Sequence, residues 1–216
     1  MPEPAIPTGL LLAAGRGSRF DATGSTLKLL QPLADGRPIA LATAQAMRAA
    51  LPQVLALVAP DTSENSRRLA QLLQEAGCTV LPCPAADAGM GSTLASGVAA
   101  TQQACGWLVM LADMPLVAAS TIAAVRDSLI AGASIARPEY HGQPGHPVGF
   151  AAICRAELLA LQGDVGARPL LARFPVTSLL SDDPGCVWDI DRPEDLAGVA
   201  AAFLDDGQRN PHGLSG

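Results

Sequence analysis

The chain has 216 residues, of which 49% are hydrophobic and 16% charged, and its formal net charge is −6. This composition argues against a disordered chain, and the length predicts a single domain. The acidic balance argues against a general nucleic-acid binder, and no apolar stretch reaches the roughly 18 residues of a membrane helix. We therefore expect neither nucleic acid nor a membrane as a partner.

The cysteines predict a reducing compartment. There are five of them, an odd number, and no pair has C-x-x-C spacing, which argues against a disulfide framework or a zinc site. The N-terminal apolar run has no basic segment before it and is too short for a signal peptide. The expected localisation is cytoplasmic.

Short apolar runs alternate with segments of helical periodicity along the chain. The predicted strands cover residues 9–14, 54–59, 78–81, 107–112, 133–137, 175–180 and 186–191. The predicted helices cover residues 38–51, 61–77, 92–104, 117–130 and 193–204. The second helix is predicted to start with a capping box of Asp61 and Glu64. Continuously apolar strands alternating with helices are typical of an α/β fold with a parallel sheet and helices on both faces. Ligands of such sheets bind beyond the carboxyl ends of the strands.

The first predicted strand ends in a glycine-rich loop, LAAGRGSRF, at residues 12–20. The backbone N–H groups of such a loop can hold phosphate, and Arg19 and Lys28 would add positive charge. Because residue 20 is Phe, the loop lacks the third glycine of a dinucleotide fingerprint, and no Walker sequence occurs. A plain strand–turn–helix junction is the alternative interpretation. Lys28 is the only lysine beside thirteen arginines, so either the position needs a compact ammonium or it reflects a codon bias.

Three acidic residues are candidates for a metal site. Asp113 follows the strand at 107–112, and Mg²⁺ is usually bound by one or two carboxylates together with substrate phosphates. Asp189 and Asp191 share one face of the predicted strand at 186–191, from which either could meet Asp113. A helix cap is the alternative role for Asp113 and for Asp191.

Two further stretches have residues suited to ligand contacts. The sequence GMGST at residues 89–93 allows close backbone approach, and Ser92 or Thr93 would contact a base or cap a helix. His146 lies in a Gly- and Pro-rich loop, and Arg168 opens a short helix. A structural histidine and a surface salt bridge are their alternative roles.

Taken in order, these stretches resemble one enzyme family. The pieces are LAAGRGSRF with Lys28, GMGSTLASG, LADMPLV, RPEYHGQPGHPVGF, GDVGAR and DIDRPEDL, and they run from residue 10 to residue 196. This ordered set resembles the molybdenum cofactor cytidylyltransferases, a branch of the sugar- and cofactor-nucleotidyltransferases. The resemblance implies a three-layer, Rossmann-like nucleotidyltransferase fold. It implies transfer of CMP from CTP to the terminal phosphate of molybdopterin-type molybdenum cofactor, with Mg²⁺ and release of pyrophosphate. It also implies a xanthine dehydrogenase-type hydroxylase as recipient.

The residues and the resemblance together assign expected roles. The catalytic residues are expected to be Arg19, Lys28 and Asp113. The nucleotide-binding residues are expected to be Leu12, Ala13, Ala14, Gly15, Gly17, Ser18, Arg19, Lys28, Gly91, Ser92 and Asp113. The acceptor-binding residues are expected to be His146, Pro147, Asp164 and Arg168. The metal ligands are expected to be Asp113, Asp189 and Asp191.

The same resemblance gives the expected organisation of the chain. A single domain would span residues 1–204, with a nucleotide half at about 1–136, an acceptor lobe at about 137–180 that returns to the sheet, and a polar tail at 205–216. The link FDATGSTLK is longer than is usual in the family and has Asp21 where glycine is frequent. Alternatives are a nucleotidyltransferase with another acceptor, such as a guanylyl-type pterin reaction or a sugar phosphate, and a non-catalytic cofactor chaperone.

Overall fold

The computed structural model describes residues 5–15, 17, 19–21, 26–60, 63–196 and 198. Within them an eight-stranded sheet lies between two layers of helices. The strands are β1 (Thr8–Ala13), β2 (Val54–Val58), β3 (Thr79–Pro82), β4 (Gly106–Leu111), β5 (Ile135–Tyr140), β6 (Gln143–Pro144), β7 (Val148–Ala151) and β8 (Val176–Leu180). The α-helices are α1 (Ile39–Ala50), α2 (Glu64–Glu75), α3 (Met90–Ala100), α4 (Ala119–Ile130), α5 (Arg155–Leu159) and α6 (Arg168–Leu171).

The sheet is mostly parallel, as the apolar strand pattern predicts. Its order is β3-β2-β1-β4-β7-β5-β6, and β8 pairs with β5. Strands β1, β2, β3 and β4 are mutually parallel, and β5 is parallel to β8. Strand β7 runs antiparallel to both β4 and β5, and β6 antiparallel to β5. Six of the eight strands of the described chain therefore share one direction.

Alternation along β1 divides the core into two layers. Leu11 packs with the apolar side chains of α1, α2 and α4, whereas Leu10 packs with those of α3, α5 and α6. Successive strand residues point to opposite faces, so one continuously apolar strand supplies both layers. This arrangement confirms the expected three-layer α/β fold.

The structure corrects the prediction of a strand at 186–191. A 3-10 turn covers Pro184–Val187, and residues 188–191 have no regular structure. The sheet-like alternation of this stretch is misleading because the N–H of Ile190 donates to the carbonyl of Asp113 at 2.9 Å and forms no strand ladder. Its buried side chain anchors the segment in the core.

Three predicted helix starts are also wrong. Helix α4 begins at Ala119, two residues after the predicted start. Helix α3 begins at Met90, two residues before the predicted start, with Gly89 as the N-cap. Ser63 caps α2, since its side chain accepts the N–H of Ser66 at 3.1 Å. This replaces the predicted capping box, whose Asp61 lies outside the described residues.

The end of the chain is only partly described. Of the predicted helix at 193–204, residues 197 and 199–204 lie outside the described residues, as does the predicted tail at 205–216. No helix within the described ranges is both long and apolar enough to cross a membrane.

Candidate active site

The loop after β1 and the segment after β4 lie side by side at one edge of the sheet. Strands β1 and β4 are parallel neighbours, with Leu12 in register with Leu111. The residues that follow each strand therefore meet, at the edge where α/β proteins bind ligands. This pairing brings the glycine-rich loop next to Asp113.

Lys28 lies at the centre of this edge. Its ammonium is 2.7 Å from Asp113 Oδ2 and 3.6 Å from Asp191 Oδ1, and its side chain is only 9% exposed. A buried lysine is rare unless it is paired. This placement explains Lys28 by its carboxylate partners and argues against the codon-bias interpretation.

These two carboxylates, with that of Asp189, form a cluster of three. Oxygens of Asp113, Asp189 and Asp191 all lie within 4.8 Å of one another. Oδ1 of Asp113 is buried and has no hydrogen-bond partner. Desolvation, followed by the charges of Asp113 and Asp191, raises the pKa of the Asp189 carboxyl, whereas Lys28 lowers it. An unpartnered buried oxygen within a carboxylate cluster fits a hard divalent cation, which prefers oxygen ligands.

The capping roles considered for Asp113 and Asp191 belong to other residues. Asp183 accepts the N–H of Ala118, the residue before α4, at 2.9 Å. Asp195 accepts the N–H groups of Asp191 and Arg192 at 2.9 and 2.8 Å.

The Asp191 carboxylate instead forms an ion pair with Arg19. Together with its contact to Lys28, this ion pair places Asp191 between the two cations of the loop. Asp113 and Asp191 are therefore both directed into the site.

A cleft of about 760 Å³ opens beside the carboxylates. It is lined by most of the residues predicted to bind nucleotide: Leu12, Ala14, Gly15, Gly17, Arg19, Lys28 and Asp113. Ala13 points away into the core, and Ser18 lies outside the described residues. The Asp21 side chain accepts the N–H of Thr26 at 2.7 Å.

Gly91 and Ser92 hold a neighbouring loop and do not line the cleft. The N–H of Gly91 donates to the carbonyl of Gly163 at 2.7 Å, and Ser92 Oγ accepts the N–H of Gly163 at 3.0 Å. Gly89 has a φ of +110°, and a Cβ there would lie 2.3 Å from Asp164 Oδ1. The two glycines of this motif therefore permit close approach of a protein loop. Thr93 does line the cleft.

A second cleft of about 660 Å³ adjoins the first. His146, Asp164 and Arg168 line it, whereas Pro147 is buried and is not among the lining residues. The two clefts share four lining residues: Leu12, Met90, Leu111 and Asp164. Three of the four predicted acceptor residues thus line a space that adjoins the first cleft.

His146 has an unusual environment within the second cleft. Its Nδ1 is buried without a hydrogen-bond partner. Burial lowers the pKa of His146, although the Val109 backbone and the charges of Asp113 and Asp189 oppose this effect. Burial therefore favours the neutral form of the ring.

Several lining residues were not predicted from the sequence, and Arg137 and Met90 are two of them. Arg137, on β5, lines the second cleft, and Met90 lines both clefts. Arg137 begins the RPEYHG stretch, but only the pairing of β5 with β7 brings it to the cleft.

The fold and this site define a nucleotidyltransferase, and the comparisons with known proteins agree. The MobA-like NTP transferase domain matches residues 9–178, and the chain belongs to that family. No curated protein matches the sequence significantly.

Solved structures give the same fold. The Rv0371c protein of Mycobacterium tuberculosis H37Rv is 29% identical, with 92% of this chain and 99% of that chain covered at a TM-score of 0.74. The structure of its complex with manganese is 29% identical, with 91% of this chain and 99% of that chain covered at a TM-score of 0.70. A nucleotidyl transferase from Methanothermobacter thermautotrophicus is 21% identical, covers 93% and 99%, and has a TM-score of 0.76; at this identity it shows the fold alone.

Proposed function

We propose that the protein transfers CMP from CTP to the terminal phosphate of a molybdopterin-type cofactor and releases pyrophosphate, with Mg²⁺ as the metal. The observation that carries the proposal is the pair of adjoining clefts beside one carboxylate cluster. One cleft has the size and cationic residues for a nucleoside triphosphate. The other offers space for an acceptor within reach of it.

The nucleotide would lie along the glycine-rich loop. Backbone N–H groups of the loop, with Arg19 and Lys28, hold the triphosphate as it develops charge. Lys28 suits this role because its ammonium is held in position by Asp113 and is a compact point charge. The functional division is a nucleotide half at residues 1–136 and an acceptor lobe at 137–180 within one domain.

The carboxylate cluster fits the implied metal. Three aspartates outnumber the two cations, Arg19 and Lys28, that contact them, so a divalent cation would balance the excess negative charge. Asp113, Asp189 and Asp191 would hold Mg²⁺, which would offset the negative charge of the phosphates. The manganese complex of Rv0371c supports a divalent metal in a relative of this chain.

The acceptor would bind in the second cleft, beside His146, Pro147, Asp164 and Arg168. Its terminal phosphate is already anionic, so attack on the α-phosphorus of CTP needs no protein nucleophile. Catalysis is then positioning together with charge stabilisation. The choice of CTP and of a pterin acceptor rests on the resemblance of the LAAG, GHPV and GDVGAR stretches, as does the xanthine dehydrogenase-type recipient.

The first experiment measures pyrophosphate release with Mg²⁺ and molybdopterin cofactor, comparing CTP, GTP, ATP and UTP. We expect release with CTP well above the others. Asp113→Asn should lower kcat at least about 100-fold, because a carboxylate of the metal cluster is lost. Asp127→Asn is the matched control, since Asp127 is an exposed residue of α4 paired with Arg126.

Each other result has a specific meaning. Release mainly with GTP would replace the cytidylyl assignment with a guanylyl one. Tight cofactor binding without pyrophosphate release from any nucleotide would favour a chaperone and contradict the proposal. Release only with sugar phosphates would move the acceptor to that class.

A further inference from the structure

Arg137 is a partly buried cation in the second cleft, and no described residue of the protein pairs with it. It lies on β5 between the buried residues Ala136 and Pro138, and lines the cleft together with His146 and Arg168. Its Nε is buried without a hydrogen-bond partner. No hydrogen bond or ion pair joins its guanidinium to any residue of the described chain. A guanidinium N–H that has lost water and gained no acceptor is costly.

The neighbouring residues do not supply the missing acceptor. Asp164 lines the same cleft but makes no ion pair with Arg137 in the described residues. On β8, the residue in register with Arg137 is Ser178, which is exposed and makes no side-chain hydrogen bond to it. Structural arginines of a sheet usually gain such a partner, so the open guanidinium points to a ligand.

The charge of the cleft favours an anion. Arg137 and Arg168 carry two positive charges, and Asp164 carries one negative charge. The planar guanidinium presents a fork of donors that matches an oxyanion, which an ammonium does not.

We propose that Arg137 binds a second anionic group of the acceptor, separate from the phosphate that attacks the nucleotide. Asp113 follows β4, and β7 lies between β4 and β5. Two strand spacings, roughly 10 Å, separate β4 from β5 across the sheet. The register also places Arg137 level with Val109 of β4, four residues before Asp113, so Arg137 and the carboxylate cluster are offset along the strands as well. The acceptor is therefore a molecule with two separate anionic centres. This inference rests on the proposed transfer reaction and deepens it.

The first test observes the arginine directly. In the ¹⁵N spectrum of arginine Nε–Hε groups, the peak absent from Arg137→Gln belongs to Arg137. Titration with inorganic phosphate should shift this peak saturably in the wild-type protein. Arg68→Gln, which removes an exposed arginine of α2, should leave the shift unchanged. An Arg137 peak that moves neither with phosphate nor with the acceptor would overturn the proposal.

The second test separates acceptor from nucleotide in steady-state kinetics. Arg137→Gln should raise the acceptor KM about 10- to 100-fold, the usual effect of losing a hydrogen bond to a charged group. The KM for CTP should stay within about twofold of the wild-type value. Arg137→Lys keeps the positive charge but loses the planar fork of donors. Its acceptor KM should lie between those of the wild-type protein and Arg137→Gln. A rise in the KM for CTP with an unchanged acceptor KM would contradict this role.

The two tests also keep this inference apart from the proposed function. Failure of the wild-type protein to release pyrophosphate with any acceptor would refute the transfer reaction. The phosphate titration would still decide whether Arg137 binds an anion, since it needs no turnover. Equal thermal midpoints of Arg137→Gln and the wild-type protein are expected, because Arg137 supports no partner within the fold.

Discussion

Replacing Lys28 with methionine tests how the carboxylate cluster is balanced. The substitution keeps the apolar stem and removes the ammonium, which lies 2.7 Å from Asp113 Oδ2. The Asp113 side chain is 19% exposed, so its charge would remain largely desolvated beside Asp189 and Asp191. Breaking a buried ion pair from one side costs about 3–5 kcal/mol. Because this site is partly open, we expect a loss of about 2–4 kcal/mol of unfolding free energy.

A divalent cation should reverse this loss. An ammonium about 5 Å from a divalent cation repels it by about 1.7 kcal/mol even at the dielectric constant of water. Its removal should therefore tighten metal binding about tenfold or more. Urea denaturation in EDTA, repeated with Mn²⁺, and calorimetric titration of Mn²⁺ measure the two effects.

Two control variants make this prediction refutable. Lys28→Arg keeps the positive charge and should not tighten metal binding. Arg37→Met breaks the ion pair between Arg37 and Asp35, whose side chains are 40% and 35% exposed respectively. This loss should lower the free energy of unfolding by less than about 1 kcal/mol. If Lys28→Met equals Arg37→Met in stability, or binds Mn²⁺ more weakly than the wild-type protein, the electrostatic account of the cluster is wrong.

Three further predictions concern the walls of the two clefts. Gly89→Ala should lower the free energy of unfolding by at least about 2 kcal/mol in thermal or urea unfolding, because its Cβ would clash with the Asp164 loop at a positive φ. Gly36→Ala is the control, since Gly36 has a φ of +82° and open space around it, so that only the backbone angle costs stability. Equal losses in the two variants would exclude the clash as the cause. Ser92→Ala should lose about 1 kcal/mol with unchanged nucleotide preference, since Ser92 Oγ accepts a loop N–H; a changed preference in the pyrophosphate assay would return Ser92 to base recognition. Burial lowers the pKa of His146 in the folded state, so the unfolded state binds the proton more readily. The free energy of unfolding should therefore fall as the pH drops below about 6.5, by up to about 1.4 kcal/mol for each unit by which the two pKa values differ. His146→Gln should lose this pH dependence in urea titrations, whereas exposed His141→Asn should keep it.

The sequence was sufficient for the parallel half of the fold. Strands β1, β2 and β4 are five or six residues long, consist almost wholly of apolar residues and pack on both faces, which is a local signal of a parallel sheet. The irregular segment at 188–191 was predicted wrongly, because Asp-Ile-Asp alternates like a strand while its N–H groups go to Asp113 and Asp195. Asp113 is distant in the sequence and Asp195 lies outside the sheet, so the alternation of apolar and polar residues indicates neither partner.

The site divides in the same way. The sole lysine and an aspartate at a strand end are signals within a few residues, and the structure places them in contact. The position of Arg137 relative to Asp113 depends on the strand between β4 and β5. That strand is β7, which is antiparallel to both. Asp183 likewise has its effect through Ala118, 65 residues away. Such roles arise from tertiary pairing and could not be predicted from the sequence alone.

The shared wall of the two clefts constrains the proposed reaction. Leu12 and Leu111, in register on neighbouring parallel strands, line both clefts, so the floor between nucleotide and acceptor is sheet. The opposite side includes Asp164, whose loop is fixed to the first turn of α3 through Gly91 and Ser92. In the proposed reaction, a floor of paired strands and a loop held by two hydrogen bonds would restrict how the acceptor approaches the nucleotide. Orientation of this kind lowers the barrier of a phosphoryl attack without a protein nucleophile. The GMGS stretch would then contribute to catalysis by fixing the acceptor side of the site, even though its Gly91 and Ser92 do not line the nucleotide cleft.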